Sequence, residues 1–305
     1  FYIDKTEKIS NDLEQNSIQQ GIGDKGEIVG RSNENCYLPI KHVNKLSAEE
    51  KQELLFRVGI LKDDISNQVM VYGVQAEKKD GKLHLGVQGF YEENELCMIS
   101  LLTLTSLQRC IADGNRVYVV ENPIVFARII ELVKGMKKHQ RADRIDAVTM
   151  IPEHQMTGEK FGVLCVNGQP NLATLVMLDK LAKNHTEFHY AGDFDPEGLM
   201  IAQRLKNRYG EQLKLWHYGV KDYEKSMSQK TVDQTRMKML EHVTDSDLMT
   251  IGTCIRNSGM AGYQESLLDE YLKDLGYCSR STMHLLHSTY ENDELVQKSY
   301  CRRQF

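Results

Sequence analysis

Residues 188–199 read FHYAGDFDPEGL. An apolar run ends at Gly192, Asp193 and Asp195 follow on either side of Phe194, and Pro196 opens a helical pattern. Two carboxylates this close repel when both are ionised, so the pair persists in a site where a positive charge, usually a metal ion, holds it. D-x-D alone is also a common surface turn. Its reading therefore depends on what the rest of the chain brings beside it.

Working outward, the flanking sequence alternates strand and helix. RVYVV (116–120) is a β-branched, aromatic run suited to a buried strand, with Glu121 and Asn122 directly after it. PIVFARIIELVKGM follows, repeating Phe126, Ile129, Ile130, Val133 and Met136 at helical spacing behind Pro123. GVLCV (162–166) is the second strand, and Asn167 and Gly168 lead to a helix opening near Pro170. EFHYAG is the third strand, its helix carrying Leu199, Ala202, Leu205 and Tyr209 inward, and LKLWHYG suggests a fourth. This alternation predicts an α/β fold: a parallel sheet flanked by helices.

In an open parallel sheet, ligands bind beyond the carboxyl ends of the strands. The sequence places Glu121 after strand one and Asp193 and Asp195 after strand three. Three acids at one edge make a hard, oxygen-rich site suited to Mg²⁺ or Mn²⁺. Phe194 is expected to point into the core. An EF-hand is excluded, because the twelfth residue counted from Asp193 is Arg204 where a bidentate Glu is needed. A dehalogenase-like phosphatase carries its D-x-D after the first strand and has no use for Glu121. No P-loop pattern is present.

Residues 1–100 are expected to form an α+β amino-terminal region, and 101–305 the catalytic domain with a helical carboxy-terminal extension. In the first part, SAEEKQELLFRVGI reads as a helix, while QVMVYGVQA and KLHLGVQGF read as two strands around KKDGK. In the last part, AGYQESLLDEYLKDLG is the clearest helix. The stretch 138–160 is long for a plain connection and predicts an insertion. The opening FYIDKTEK, without Met or a signal-like segment, reads as a piece of a longer protein.

Composition sets the class. Hydrophobic content of 41% and charged content of 27% suit a globular protein, and the longest apolar stretch, CMISLLTLTSL, is too short to span a bilayer. The seven cysteines show no C-x-x-C spacing, so reduced thiols and a cytoplasmic location are expected. A net charge of −5 gives no global sign of nucleic-acid binding. The segment 128–144 is nevertheless locally basic.

VYVVENP, VLCVNGQPN and FHYAGDFDPEGL together resemble the TOPRIM fold, with Glu after its first strand and D-x-D after its third. GDFDPEG with an apolar helix looks most like the topoisomerase VI A-subunit branch. ENPIVF, NGQPNLATL, WHYGVKDYEKS and GYQESLLDEYL are similar to the JetD-type nuclease subunits of Wadjet plasmid-defence systems, over roughly residues 100–275.

The resemblance implies that Glu121, Asp193 and Asp195 are catalytic, metal-binding acids and that Glu265 is an auxiliary acid. A solvated helix carboxylate is the equal alternative for Glu265. It also implies metal-dependent cleavage of double-stranded DNA within an assembly driven by an SMC-like ATPase, and by analogy a homodimer. A topoisomerase-type Tyr on a winged helix is not found upstream. Tyr37, Tyr72 and Tyr91 read as packing residues, so hydrolysis by metal-activated water is expected. In this light Lys137, Lys138, Arg141 and Arg204, with Lys206 and Arg208 beyond it, are candidate DNA contacts. The rival reading is a non-cutting TOPRIM-fold module that senses DNA or aids assembly. His185, His189, His284 and His287 read as structural or solvated.

Overall fold

The computed structural model describes residues 48–276 except 58, 61, 62, 64 and 143–159, and the side chains of 48, 49 and 135–142 lie outside that description. The predicted strand–helix alternation is present. β5 (Arg116–Val120) leads to α4 (Pro123–Ala142), β6 (Gly162–Cys165) to α5 (Leu172–Ala182), and β7 (Glu187–Ala191) to α6 (Pro196–Tyr209) and β8 (Leu213–Leu215). β6, β5, β7 and β8 lie side by side and parallel.

Two strands from earlier in the chain extend this sheet antiparallel. β1 (Gln68–Tyr72) pairs with β6, and β3 (Cys97–Ser100) pairs with β1 at the edge, giving a six-stranded order β3-β1-β6-β5-β7-β8. The hydrogen bonding therefore runs across position 100. α1 (Ala48–Arg57) precedes β1 and reaches α6 through Glu53, whose carboxylate accepts from Arg208 at 3.0 Å.

The core follows from composition. Val117, Val119 and Val120 of β5, Val163 and Leu164 of β6, and Phe188 and Tyr190 of β7 are fully buried, as apolar runs covered on both faces must be. The helices supply Phe126, Ile129 and Val133 from α4, Met177, Leu178 and Leu181 from α5, and Leu199, Ala202 and Leu205 from α6. Trp216 packs on Tyr118 with ring centroids 4.4 Å apart.

Three expected elements differ. QVMVYGVQA is not one strand: after Gly73 the chain leaves the six-stranded sheet for a separate pairing. KLHLGVQGF is not a second hairpin strand. From Leu85 onward it lies in helix α2 (Leu85–Glu92), capped by His84 Nδ1 accepting from Val87 N at 3.2 Å, with Val87 alone on the buried side. β2 (Val74–Lys78) instead pairs with β4 (Leu107–Ala112), and the short α3 (Leu101–Ser106) separates β3 from β4. AGYQESLLDEYLKDLG is not one helix either. β10 (Met260–Gly262) comes first, then a 3-10 turn over Gln264–Leu267, and only then α10 (Leu268–Asp274). β10 pairs with β9 (Met227–Thr231), and this tertiary pairing overrides helical spacing.

α7 (Val220–Ser226) leads into β9, and α8 (Gln234–Met237) and α9 (Ser246–Ser258) lie between β9 and β10. The expected insertion begins within the last turns of α4, and its residues 143–159, with Tyr37, His284 and His287, lie outside the described residues. Among the described residues no helix is long and apolar enough to cross a membrane. Cys97, Cys110, Cys165 and Cys254 are free thiols.

The strand order positions the site. From β5 the chain crosses to β6 on one side, then returns past β5 to β7 on the other. With right-handed crossovers, α4 and α5 take opposite faces, so a crevice opens at the carboxyl ends of β5 and β7.

Candidate active site at the carboxyl ends of the parallel strands

Glu121 is the first residue past β5, and Asp193 stands two residues past β7. The two are brought together: Glu121 Oε2 accepts from Asp193 N at 3.2 Å and from the Tyr190 hydroxyl at 3.4 Å. Gly192 makes the approach possible, because a Cβ there would stand 2.8 Å from Glu121 Oε2 and 2.6 Å from the Tyr190 oxygen.

The electrostatics of this pair are unfavourable for charge. Burial, helped by the neighbouring Asp193 charge, pushes the Glu121 carboxyl up to about 8. Burial also pushes Asp193 up to about 6, against the hydrogen bond from Gln264 N to its Oδ1 at 3.0 Å. Two adjoining carboxyls that resist ionisation are what a cation would reverse.

Asp195 is turned elsewhere. As N-cap of α6 its Oδ1 accepts from Gly198 N at 2.8 Å, and its Oδ2 accepts from Arg236 Nη2 at 2.5 Å. Arg236 Nε also donates to Glu197 at 2.8 and 2.9 Å, and these bonds hold the Glu197 carboxyl below the usual carboxylate range. Arg236 is fixed at its backbone too, where Asp233 Oδ1 accepts its N–H at 2.9 Å.

Phe194 is fully buried, as expected, and stacks on Tyr218 with centroids 4.7 Å apart. Its backbone bridges to Gly262, so the D-x-D is tied to the chain that continues into Gln264 and Glu265. Tyr218 adds a hydroxyl donating to Asp193 O at 2.6 Å.

Glu265 arrives at the site through that bridge. Its Oε1 accepts from Asn122 Nδ2 at 2.5 Å, while Oε2 is buried with no hydrogen-bond partner among the described residues. Gln264, itself fully buried, accepts from Asn122 N at 2.9 Å through Oε1 and leaves Nε2 unpartnered. The Glu265 charge contributes to raising Asp193.

Among the described residues, no three His, Cys, Asp or Glu side chains are grouped to hold a metal ion. Asp195 is the acid held apart. In donor chemistry the oxygens of two half-buried carboxyls raised by burial and the buried Glu265 Oε2 are of the kind a hard divalent cation takes, but the three acids are not gathered around one point.

Sequence reasoning missed Gln264, Arg236, Tyr190 and Tyr218. Gln264 adjoins Glu265, the one signal that pointed to it. The others come from positions with no local pattern. Of the expected DNA contacts, Arg204 is exposed and donates to Gln169 at 3.1 Å. Lys206 is paired with Asp245 at 2.7 Å, and Arg208 with Asp179 at 2.7 Å. The backbone of Lys137, Lys138 and Arg141 continues α4, and their side chains lie outside the described residues. Tyr72 is buried and the Tyr91 hydroxyl donates to Asp113 at 2.6 Å. His189 lies 2.5 Å from Glu187, at the opposite end of β7 from Asp193.

Residues 97–275 match the family model described as Protein of unknown function C-terminus (DUF2399), and the chain belongs to that family. The match spans the parallel strands, both site carboxyls and Glu265. No curated protein matches the chain.

Proposed function

Taking the chain as a member of that family, we propose that it is the metal-dependent endonuclease subunit of an anti-plasmid defence complex, with a TOPRIM-type site similar to that of JetD-type subunits. The observation that carries this reading is the half-buried Glu121–Asp193 pair, joined by the Asp193 N–H on the Glu121 carboxylate, at the crevice between β5 and β7. Burying two carboxyls against each other costs stability unless a cation joins them. Glu121 and Asp193 would hold Mg²⁺ or Mn²⁺, with Glu265 supplying a further oxygen and Asp195 joining if Arg236 releases it. An ion there supplies a Lewis acid for a phosphodiester and lowers the pKa of bound water.

The chain's own residues set the geometry. Gly192 lets Glu121 approach, Gln264 N–H orients Asp193, and Asn122 steers Glu265. The substrate is double-stranded DNA, cut within an assembly driven by an SMC-like ATPase, with two copies of the chain serving the two strands.

A second reading, a non-cutting module that senses DNA or aids assembly, is favoured by one contact: Arg236 occupies Asp195 in place of a metal. Plasmid cleavage with Mg²⁺ or Mn²⁺, with the ATPase partners present, separates the two. Cleavage lost in both Glu121→Ala and Asp193→Ala supports the nuclease. DNA binding that needs no metal, with no cleavage by the complete assembly, supports the sensing module.

A further inference from the structure

Two cations belong to the elements around the D-x-D acids, and their situations differ. Arg236 serves Asp195 and is already neutralised by two carboxylates, Asp195 and Glu197. Lys230 stands on β9, beside the β10 segment that leads through Tyr263 to Gln264, whose N–H donates to Asp193 Oδ1 at 3.0 Å. The Lys230 ammonium lies 5.7 Å from the centroid of the Tyr263 ring and has no carboxylate partner among the described residues.

Several other cations of the surrounding elements are held by carboxylates, whereas Arg204 donates to the Gln169 side chain. Lys225 is paired with Glu270, Lys206 with Asp245 and Asp247, Arg208 with Glu53 and Asp179, and Lys134 with Glu95 at 2.6 Å. Lys230 is exposed, on a strand whose partner β10 runs straight into Tyr263, Gln264 and Glu265. An aromatic face holds an ammonium loosely compared with a carboxylate and leaves its three donors for a ligand.

We propose that Lys230, carried by β9 over the Tyr263 ring, is the residue that contacts the substrate's phosphodiester beside Asp193. This deepens the nuclease reading and rests on it, because it takes a nucleic-acid phosphate as the ligand. The anchoring charge comes from β9 rather than from the basic helix positions that the sequence suggests. A phosphate drawn to Lys230 lies at the carboxyl edge of β7, next to the acids. Arg236 plays a different part, holding Asp195 and Glu197 in place.

The test is binding of the full chain to a short fluorescein-labelled duplex DNA, read by anisotropy across a KCl series with Ca²⁺ in place of Mg²⁺. Lys230→Met is expected to weaken binding several-fold and to reduce the slope of log K against log salt by about one. Lys230→Arg, which keeps the charge, should restore the slope. Lys214→Gln removes a cation paired with Glu187 and should leave it unchanged. Mn²⁺-dependent thermal stabilisation serves as an independent readout that the acids and the fold are intact in each variant. Wild-type binding with a Lys230→Met curve superimposed on it would overturn the role of Lys230 and leave the nuclease reading standing. No binding by the wild type at any salt would overturn both, and retained Mn²⁺ stabilisation would then leave only the metal site.

Discussion

Phe194 and Gly262 exchange both of their backbone hydrogen bonds, Phe194 N to Gly262 O at 2.9 Å and Gly262 N to Phe194 O at 3.0 Å. This single bridge joins the D-x-D turn to a segment some seventy residues later, and through it Gln264 and Glu265 reach Asp193 and Asn122. A Cβ on Gly262 would lie 2.5 Å from Ser226 Oγ and 3.3 Å from Phe194 Cβ. Gly262→Ala is expected to force the bridge apart and to cost about 1–3 kcal/mol, the usual range for overpacking. Urea unfolding measures it.

Gly192→Ala acts on the site more than on the fold. Its Cβ would intrude between Glu121 Oε2 and the Tyr190 hydroxyl. The expected outcome is a protein that folds but shows no stabilisation by Mn²⁺, checked by thermal melting with and without the ion.

The raised Glu121 carboxyl gives a pH dependence with a definite sign. Its folded-state value of about 8 lies above the ordinary 4.5, so the folded state keeps a proton that the unfolded state releases between those values. Stability from this group is complete below about 4.5 and is lost as pH rises towards 8. The metal-free protein should therefore melt at a lower temperature at the top of this window than at its base, and Glu121→Gln should remove that part of the dependence. Mn²⁺, which favours the ionised form, should restore stability most at the alkaline end.

Arg236 holds the Asp195 carboxylate that the proposed cation would otherwise take. Replacing Arg236 with Gln removes that hold, and the apparent affinity for Mn²⁺ is expected to rise on the order of tenfold, the equivalent of about 1.4 kcal/mol. Isothermal titration calorimetry reads this directly. Unchanged affinity would mean that Asp195 stays on its helix-capping bond to Gly198 and takes no part in metal binding.

The parallel strands were legible in the sequence because β5 and β6, covered on both faces, read as apolar runs ending in a polar residue, while β7 alternates half-buried Glu187 and His189 with buried Phe188 and Tyr190. Glu121 and Asp193 were legible for the same reason, since the strand ends locate them. The stretch after Lys82 was not: with Val87 alone buried, its short pattern does not distinguish strand from helix, and the His84 cap decides it. The start of α10 was hidden because Gly262 is held by a partner distant in sequence. Arg236 and Gln264 were hidden likewise. Their roles come from tertiary contacts, and neither has a spacing that announces it. Glu265 lay between two readings until its contact with Asn122 brought it to the site.

The central claim is that Glu121 and Asp193 together form a divalent-metal site. It is tested most directly by calorimetric titration of Mn²⁺ into the full chain and into Glu121→Gln and Asp193→Asn, at a pH where the wild-type carboxyls ionise on binding. Saturable binding by the wild type with release of protons, and loss of that binding in both variants, is the expected outcome. Binding of equal affinity by wild type and variants, or none by a folded wild type, would contradict it.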